Sequence, residues 1–280
     1  MNLLLRILLG AIAFPVLLAS IFLVPQASHL AFNLIVIAFS VGGAFETEGL
    51  LRKKGFQTSR WLVPSLSVVV PALAYLEAVG ILSADALDMG MVLVLALVLL
   101  SSGVFHKAQS LPGLISHLAS SFFILLYPCF FLSYLVKLSG LPDASWKILY
   151  FLCVVFLNDI MAYFGGSFLG GGRSLGLPVS PKKTAIGFVC GFLTSVGVSV
   201  MFAVLLPGIF SAGIPVMAAF GGLIGLTTIL GDLVESGLKR SAEVKDSGSI
   251  MPGRGGILDS IDSMVLSAPL CFFFFRLMGP

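Results

Sequence analysis

Long apolar segments alternate with short polar connections along the chain, and this pattern predicts its main elements. A helix needs about 20 consecutive apolar residues to cross a membrane. A membrane β-barrel would instead show short strands of alternating polarity, whereas the apolar runs here are long and unbroken. We therefore predict an all-α polytopic integral membrane protein. Nine spans are predicted, at about residues 3–24, 29–51, 61–81, 87–105, 112–136, 145–168, 184–206, 212–235 and 257–277.

The composition agrees with this class and disfavours others. Hydrophobic residues make up 58% of the 280 residues and charged residues only 10%, whereas soluble domains carry about 25% charged residues. A soluble enzyme, a disordered chain and a disulfide-stapled domain are therefore disfavoured. No small-residue cleavage site follows the first apolar run, so we expect residues 2–24 to be a retained helix and not a removed signal.

The distribution of positive charge predicts the orientation of the helices. A cytoplasmic N-terminus places 13 of the 16 Lys and Arg residues on the cytoplasmic side, leaving Lys137, Lys147 and Arg276 on the other. Cytoplasmic loops of membrane proteins carry such an excess. The two loops richest in polar residues, 165–185 and 236–256, then share the cytoplasmic face.

The first half offers little catalytic chemistry. Glu46 and Glu48 precede a basic run where the second predicted helix ends. We expect them to anchor this helix end through pairs within the helix, with contact to phospholipid headgroups as the alternative. We predict that residues 1–140 serve anchoring, lipid access or dimerisation, and that residues 141–280 form a catalytic transmembrane domain.

Acidic residues interrupt the apolar helices of the second half. Asp159, which follows Asn158, shares one predicted helix face with Tyr163. A carboxylate within a membrane helix costs about 2.5–3.5 kcal/mol on insertion scales. Such a residue normally faces a polar cavity and marks a function, although a hydrogen bond between helices is the alternative.

A second group of polar residues lies at the C-terminal end of the eighth predicted span. Asp232, Glu235, Ser236 and Lys239 follow the spacing i, i+3, i+4 and i+7, which places them on one side of a helix. Arg240 comes directly after them. The rest of this helix continues an apolar stretch, so the face is not simply a solvated one.

Lysines precede the seventh predicted span after a glycine-rich approach. Ser180 is followed by Lys182 and Lys183, at a helix N-terminus where cations are unfavourable. A bound anion would make this arrangement favourable, because free N–H groups and ammonium groups would converge on it. The alternative is that the lysines act only as a topology signal.

The last polar loop adds Lys245, Asp246 and Arg254, and the final helix begins with Asp259 and Asp262 three residues apart. Acidic and basic groups thus gather at one predicted membrane face. Mg²⁺ is typically bound by one or two carboxylates together with substrate phosphates, and Lys and Arg bind polyphosphates. The pattern predicts phosphoryl or nucleotidyl transfer, without a Walker A or GxGxxG motif.

These residues resemble the C-terminal signature of the phosphatidate cytidylyltransferases, or CDP-diacylglycerol synthases. That signature runs Ser-x-hydrophobic-Lys-Arg, then Lys-Asp, then Pro-Gly-His-Gly-Gly and Asp-Arg-x-Asp-Ser. The matching segments, in order and within about residues 150–265, are 158–163, 180–184, 236–240, 245–246 and 252–263.

Two departures from the signature are Arg254 in place of His and Ser260 in place of Arg. The attacking phosphate monoester is already ionised near pH 7, since its second pKa is about 6. It needs no strong base, so we expect altered substrate affinity before lost activity.

The resemblance implies the reaction of CTP with phosphatidate to give CDP-diacylglycerol and pyrophosphate. It implies Mg²⁺ as cofactor, with a second cation left open, and a multi-pass protein of a bacterial-type inner membrane whose active site faces the cytoplasm. A homodimer is expected and nucleic acid is not. The implied catalytic residues are Asp246, Asp259, Asp262, Lys239 and Arg240; the implied metal ligands are Asp232, Asp246, Asp259 and Asp262; the implied substrate-binding residues are Asn158, Asp159, Tyr163, Ser180, Lys182, Lys183, Ser236, Lys245 and Arg254.

Two other functions fit parts of the pattern. A polyprenol or phytol kinase that uses CTP would share the loop chemistry but transfer the terminal phosphoryl group. A transporter of an anionic substrate would place charges near the membrane midplane in both halves, and the chain shows no internal repeat of that kind.

Overall fold

The structure is a computed structural model that describes residues 3–58, 62–105, 108–171, 174–251, 253 and 255–279. Among these residues the regular structure is helical, with two isolated bridges and no strand. The α-helices are α1 (Leu3–Phe22), α2 (Gln26–Lys53), α3 (Leu62–Ala78), α4 (Ala86–Phe105), α5 (Leu114–Ile124), α6 (Phe131–Leu138), α7 (Ala144–Phe164), α8 (Ala185–Leu205), α9 (Ile214–Ser241), α10 (Leu258–Val265) and α11 (Ser267–Met278). A 3₁₀ segment covers Ala108–Gly113, and π-helical turns cover Leu125–Phe130 and Gly165–Leu169.

Every predicted span coincides with helical structure. In the described part of the chain, seven helical segments are long and apolar enough to cross a membrane. Two further apolar helices are α1 (Leu3–Phe22), whose side chains are described over Ala13–Phe22, and the 17-residue α3 (Leu62–Ala78). The predicted all-α class is confirmed, and the helices are those expected of a polytopic membrane protein.

The chain divides into two compact units. The first comprises Met1–Gly140 with Ser241–Ile261, and the second comprises Leu141–Arg240 with Asp262–Pro280. The first unit thus combines the N-terminal helices with Ser241–Ile261, a segment of the predicted C-terminal domain. The predicted division at residues 140 and 141 and the functional roles of the two halves stay predictions.

A buried ion-pair network joins three helices of the first unit. Lys137 of α6 is 2% exposed, and its Nζ lies 2.7 Å from Oε1 of Glu77 and 3.5 Å from Oδ2 of Asp88. The hydroxyl of Tyr134 donates to Oδ1 of Asp88 at 2.6 Å. Buried charges require such partners because desolvation is costly.

Small residues bring α7 and α8 together in the second unit. A Cβ atom at Gly187 would lie 2.6 Å from the carbonyl oxygen of Ala162, and one at Gly191 would lie 3.0 Å from that of Asn158. Glycine at these positions therefore allows the two backbones to approach closely, as is typical of helix contacts in membranes.

Aromatic residues form the core of the second unit around the fully buried Tyr150. The ring of Tyr150 stacks on Phe220 and meets Phe202 and Phe275 edge-on. Its hydroxyl lies 2.8 Å from Oγ of Ser199, so the one polar atom of the side chain is hydrogen-bonded.

Candidate active site

Four carboxylates from three helices come together in the second unit. Asp159 lies on α7, Asp232 and Glu235 lie on α9, and Asp262 lies on α10. Asp262 is near enough to the other three for their charges to interact. Glu235 is buried and the other three are partly exposed. This group, which we call the carboxylate cluster, concentrates negative charge that favours bound cations.

Two lysines supply part of the compensating charge. Nζ of Lys239 lies 2.7 Å from Oε2 of Glu235, one turn earlier on α9. Lys183, which precedes α8, forms an ion pair with Asp232. Oγ of Ser236 donates to Oδ1 of Asp232 at 3.3 Å. The predicted polar face of α9 is therefore confirmed by contacts between its own members.

Gly231 allows α10 to lie against α9 at the carboxylate cluster. A Cβ atom at this position would collide with the carbonyl oxygen of Asp262 and would lie 3.3 Å from Cα of Ser263. The backbone N–H of Ser263 donates to Oδ1 of Asp262 at 2.6 Å. A glycine one residue before Asp232 thus places two of the carboxylates on facing backbones.

The loop before α8 directs one lysine towards the cluster. The N–H of Leu175 donates to the carbonyl oxygen of Lys183 at 2.7 Å. Oγ1 of Thr184 accepts from the N–H of Gly187 at 3.0 Å and so caps α8. Lys182 is exposed. The two adjacent lysines therefore have different surroundings, and only Lys183 contacts Asp232.

In the first unit, Asp259 organises a loop that we call the glycine loop (the described residues 246–251, 253 and 255–257). Its Oδ2 accepts from the N–H of Gly256 at 2.7 Å and from the N–H and Oγ of Ser247 at 2.9 and 2.8 Å. Gly255, with φ of +106°, lies between Asp259 and Asp246, because a Cβ there would be 2.8 Å from Oδ2 of Asp259 and 3.0 Å from Cβ of Asp246. Asp246 of the loop and Asp259 of α10 thus lie on either side of one glycine.

Glu46 contacts this loop, a role that the sequence interpretation missed. It is 7% exposed, and its carboxylate accepts from the N–H groups of Ile257 and Leu258 at 2.9 and 2.8 Å and from Oγ of Ser247 at 2.8 Å. The expectation that Glu46 pairs within its own helix is therefore wrong. No local spacing could have indicated this contact, because its partners lie about two hundred residues later in the chain.

The same expectation is confirmed for Glu48. Its Oε1 lies 2.7 Å from the guanidinium of Arg52, one turn later on α2. It also accepts from the hydroxyl of Thr58 at 2.7 Å. The two glutamates of one helix turn thus have separate partners.

Asn158 has the least solvent-accessible position of the predicted substrate-binding residues. It is fully buried, and its Nδ2 donates to Oγ of Ser195 at 2.8 Å and to the carbonyl oxygen of Gly225 at 3.4 Å. It therefore forms hydrogen bonds from α7 to both α8 and α9, and its predicted role in substrate binding stays a prediction.

The remaining predicted site residues differ in their exposure and contacts. Tyr163 is 71% exposed, and the N–H of Ser180 donates to the carbonyl oxygen of Leu177 at 3.0 Å. Arg254 lies outside the described residues. The exposed charged members are Arg240, Lys245 and Asp246.

Comparison with known proteins gives a consistent result. The model of the cytidylyltransferase family matches residues 4–278. A phosphatidate cytidylyltransferase of Rickettsia bellii is 36% identical over 146 residues, which are 51% of this chain and 63% of that protein. The Synechocystis protein of that name is 44% identical over 137 residues, covering 48% of this chain and 44% of the relative.

A third relative, the phosphatidate cytidylyltransferase of Helicobacter pylori, is 41% identical over 121 residues, covering 43% of this chain and 44% of the relative. The chain thus matches about half of the length of these curated relatives. The family model, by contrast, extends over nearly all of the chain and includes both the carboxylate cluster and the glycine loop. The chain therefore belongs to the cytidylyltransferase family.

Proposed function

We propose that the protein is a phosphatidate cytidylyltransferase. A phosphate oxygen of phosphatidate attacks the α-phosphorus of CTP, the bond from that phosphorus to the bridging oxygen breaks, and pyrophosphate leaves. The products are CDP-diacylglycerol and pyrophosphate. Family membership and the names of the relatives support this proposal.

The carboxylate cluster is the observation that carries the proposal. The charges of three carboxylates act on Asp262 in the second unit, and the two lysines described above form ion pairs with Glu235 and Asp232. A membrane protein gains nothing in stability from gathering like charges, which repel one another. A site for a cation and a polyphosphate gives this arrangement a use, because both charge types are needed there.

The donor chemistry of the cluster fits Mg²⁺. Among the described residues no three His, Cys, Asp or Glu side chains already converge to hold a metal. Mg²⁺ typically takes only one or two carboxylates and completes its shell with water and phosphate oxygens. Asp232 and Asp262 are the proposed ligands in the second unit, and Asp246 and Asp259 are those in the first. Bound Mg²⁺ would neutralise charge on the triphosphate and on the departing pyrophosphate.

The chain's own residues position the substrates and balance their charge. Lys183 and Lys239 have ammonium groups at the cluster and can bind phosphate oxygens when a nucleotide replaces their carboxylate partners. The exposed Lys182, Arg240 and Lys245 offer further cations for the triphosphate and the lipid phosphate. No side chain is required as a strong base, because the attacking phosphate is already ionised. Catalysis then consists of positioning and electrostatic stabilisation.

The membrane arrangement is part of the proposal. We propose nine spans with the N-terminus in the cytoplasm, a location in the bacterial inner membrane, a cytoplasmic active site and a homodimer. The excess of Lys and Arg in alternate loops supports this orientation. A site at helix ends also suits the reaction, because CTP is soluble whereas the acyl chains of phosphatidate stay in the bilayer.

The test is transfer of label from CTP to lipid. Purified full-length protein in detergent–phosphatidate micelles is incubated with α-³²P-labelled CTP, with Mg²⁺ or with EDTA. We expect label in the lipid phase and release of unlabelled pyrophosphate, both only with Mg²⁺.

Parallel reactions with γ-³²P-labelled CTP identify the competing chemistry. A cytidylyltransferase leaves this label in pyrophosphate, whereas a kinase transfers it to an isoprenoid alcohol supplied in the micelles. Label from the γ-phosphate in lipid, or no transfer from either position by folded protein, would contradict the proposal.

A further inference from the structure

We propose that Glu46 is a positioning residue that holds the glycine loop and the start of α10 in their working geometry. This inference rests on the proposed function, because the loop and α10 carry Asp246 and Asp259. Glu46 itself lies on α2, in the part of the chain where the sequence indicated little catalytic chemistry.

The carboxylate of Glu46 caps a helix to which it does not belong. The first N–H groups of a helix have no partner within that helix. Oε1 of Glu46 accepts from the N–H of Ile257 at 2.9 Å, and Oε2 accepts from the N–H of Leu258 at 2.8 Å. A negative charge at a helix N-terminus is favourable, and hydrogen bonds to a charged acceptor are stronger than neutral ones.

Two glycines of the loop make room for this carboxylate. A Cβ atom at Gly256 would collide with Oε2 of Glu46 and with Oγ of Ser247, and one at Gly248 would collide with Oε1 of Glu46. The loop backbone can therefore enclose the Glu46 carboxylate only where these positions lack side chains. This gives the second glycine of the Gly255-Gly256 pair a physical role that is separate from the positive φ of the first.

Ser247 connects Glu46 to Asp259. Its Oγ lies 2.8 Å from Oε2 of Glu46 and 2.8 Å from Oδ2 of Asp259. One hydroxyl has one proton to donate, so the two carboxylates share it. Glu46 thus influences Asp259 in two ways, through this hydroxyl and through the helix start from which Asp259 projects.

Glu48 provides a matched control on the same helix. It is 8% exposed, against 7% for Glu46, and it is also hydrogen-bonded. Its partners are Arg52 and Thr58 and not the glycine loop. Glu48→Gln therefore removes the charge of a similarly buried carboxylate and leaves the loop contacts intact.

The first test measures hydrogen exchange in the full-length protein in detergent. We expect Glu46→Gln to accelerate exchange of the Ile257 and Leu258 amides about tenfold, since each loses a charged acceptor. Ser247→Ala removes a single hydroxyl from a loop, and we expect it to accelerate exchange in the peptide that contains Ile257 and Leu258 to a smaller extent. Glu48→Gln should leave that peptide unchanged. Wild-type exchange in both Glu46→Gln and Ser247→Ala would overturn the proposal.

The second test measures turnover per folded molecule with α-labelled CTP. Displacement of Asp259 should lower kcat of Glu46→Gln about tenfold or more, with KM for CTP changed less than about threefold because the lysines are intact. Glu48→Gln should retain wild-type turnover. Unchanged kcat in Glu46→Gln despite faster exchange would overturn the positioning role. An inactive wild type would refute the proposed function, and the exchange result would then decide separately whether Glu46 holds the loop.

Discussion

Asp262 shows how one side chain can oppose stability and serve function. Its charge interacts with those of Asp159, Asp232 and Glu235 in the second unit. Gathering these charges costs free energy in the folded protein, and a bound cation would offset that cost. Stability and activity should therefore respond in opposite directions when the charge of Asp262 is removed.

Asp262→Asn tests this opposition. Asparagine keeps the shape and retains an oxygen that can accept from the N–H of Ser263. We expect the melting temperature in detergent without Mg²⁺ to rise, because a repulsive charge is gone. We expect turnover to fall by at least about 100-fold, as for loss of an electrostatic stabiliser. Asp143→Asn, at an exposed left-handed position that asparagine tolerates, is the control. Turnover of Asp262→Asn within about threefold of wild type would remove this residue from the site.

Lys183→Ala separates substrate binding from membrane topology. The variant loses the ion pair with Asp232 and the ammonium group proposed to bind CTP. We expect KM for CTP to rise about tenfold and stability to change by less than about 1 kcal/mol, since the pair is partly exposed. Lys54→Ala, which removes an exposed pair with Glu243, should alter neither quantity. Unchanged kinetics in Lys183→Ala would leave the lysine with a topological role alone.

Asn158→Ala distinguishes a packing residue from a substrate contact. The variant loses the hydrogen bonds to Ser195 and Gly225. Interhelical hydrogen bonds of this kind contribute about 0.6–1.7 kcal/mol. We expect a lower melting temperature with KM for CTP unchanged. A raised KM at wild-type stability would instead support the role that the sequence resemblance implied for Asn158.

At the scale of elements, the positions of the helices follow from the local distribution of apolar residues. Apolar runs predicted all of them, and their ends depend on specific residues. α9 continues to Ser241, beyond the predicted membrane span that ends at residue 235, and so includes Lys239, which pairs with Glu235 as the predicted helix face requires. The last predicted helix is divided at Leu266, three residues before Pro269. Because Pro269 has no N–H, it cannot donate the helical hydrogen bond to the carbonyl oxygen of Val265.

The close contact of α9 and α10 depends on one position. Gly231→Ala would push a methyl group into the carbonyl oxygen of Asp262 and separate the two backbones. We expect a loss of stability of about 1–3 kcal/mol and a parallel loss of turnover. Gly197→Ala on α8 is the control, because no atom lies within 4 Å of its Cβ position. It should be neutral or stabilising by up to about 1 kcal/mol. A wild-type melting temperature for Gly231→Ala would show that the helices need not touch at this point.

The site was predictable to the extent that its contacts are local. The spacing of Asp232, Glu235 and Lys239 predicted a shared face, and the structure gives them the expected contacts within α9. Helical periodicity carries no information on contacts between distant segments. The hydrogen bond that Glu46 accepts from Ile257 therefore could not be predicted from spacing, although Ile257 lies within the matching segment 252–263. For the same reason the sequence could not assign Ser241–Ile261 to the first unit.

At the scale of the whole molecule, α3 determines the topology. In the part of the chain that the structure describes, seven helical segments are long and apolar enough to span, whereas Leu62–Ala78 has 17 residues and contains Pro71. At about 1.5 Å per residue such a helix is shorter than the hydrocarbon core of about 30 Å, so local thinning or flanking residues must compensate. The proposed cytoplasmic location of residues 54–58 and the opposite location of residues 79–85 require that α3 crosses.

Cysteines introduced on either side of α3 test this crossing. Gln57→Cys and Ser83→Cys place thiols at exposed positions in the two loops, and Glu243→Cys places one after α9. We expect a membrane-impermeant maleimide to label residue 83 in intact cells and residues 57 and 243 only in inverted vesicles. The wild-type chain, whose four cysteines are buried or half-buried, measures the background. Labelling of 57 and 83 from the same side would show that α3 does not cross. Labelling of 57 and 243 in intact cells would reverse the orientation, and CTP would then have no access to the carboxylate cluster from the cytoplasm.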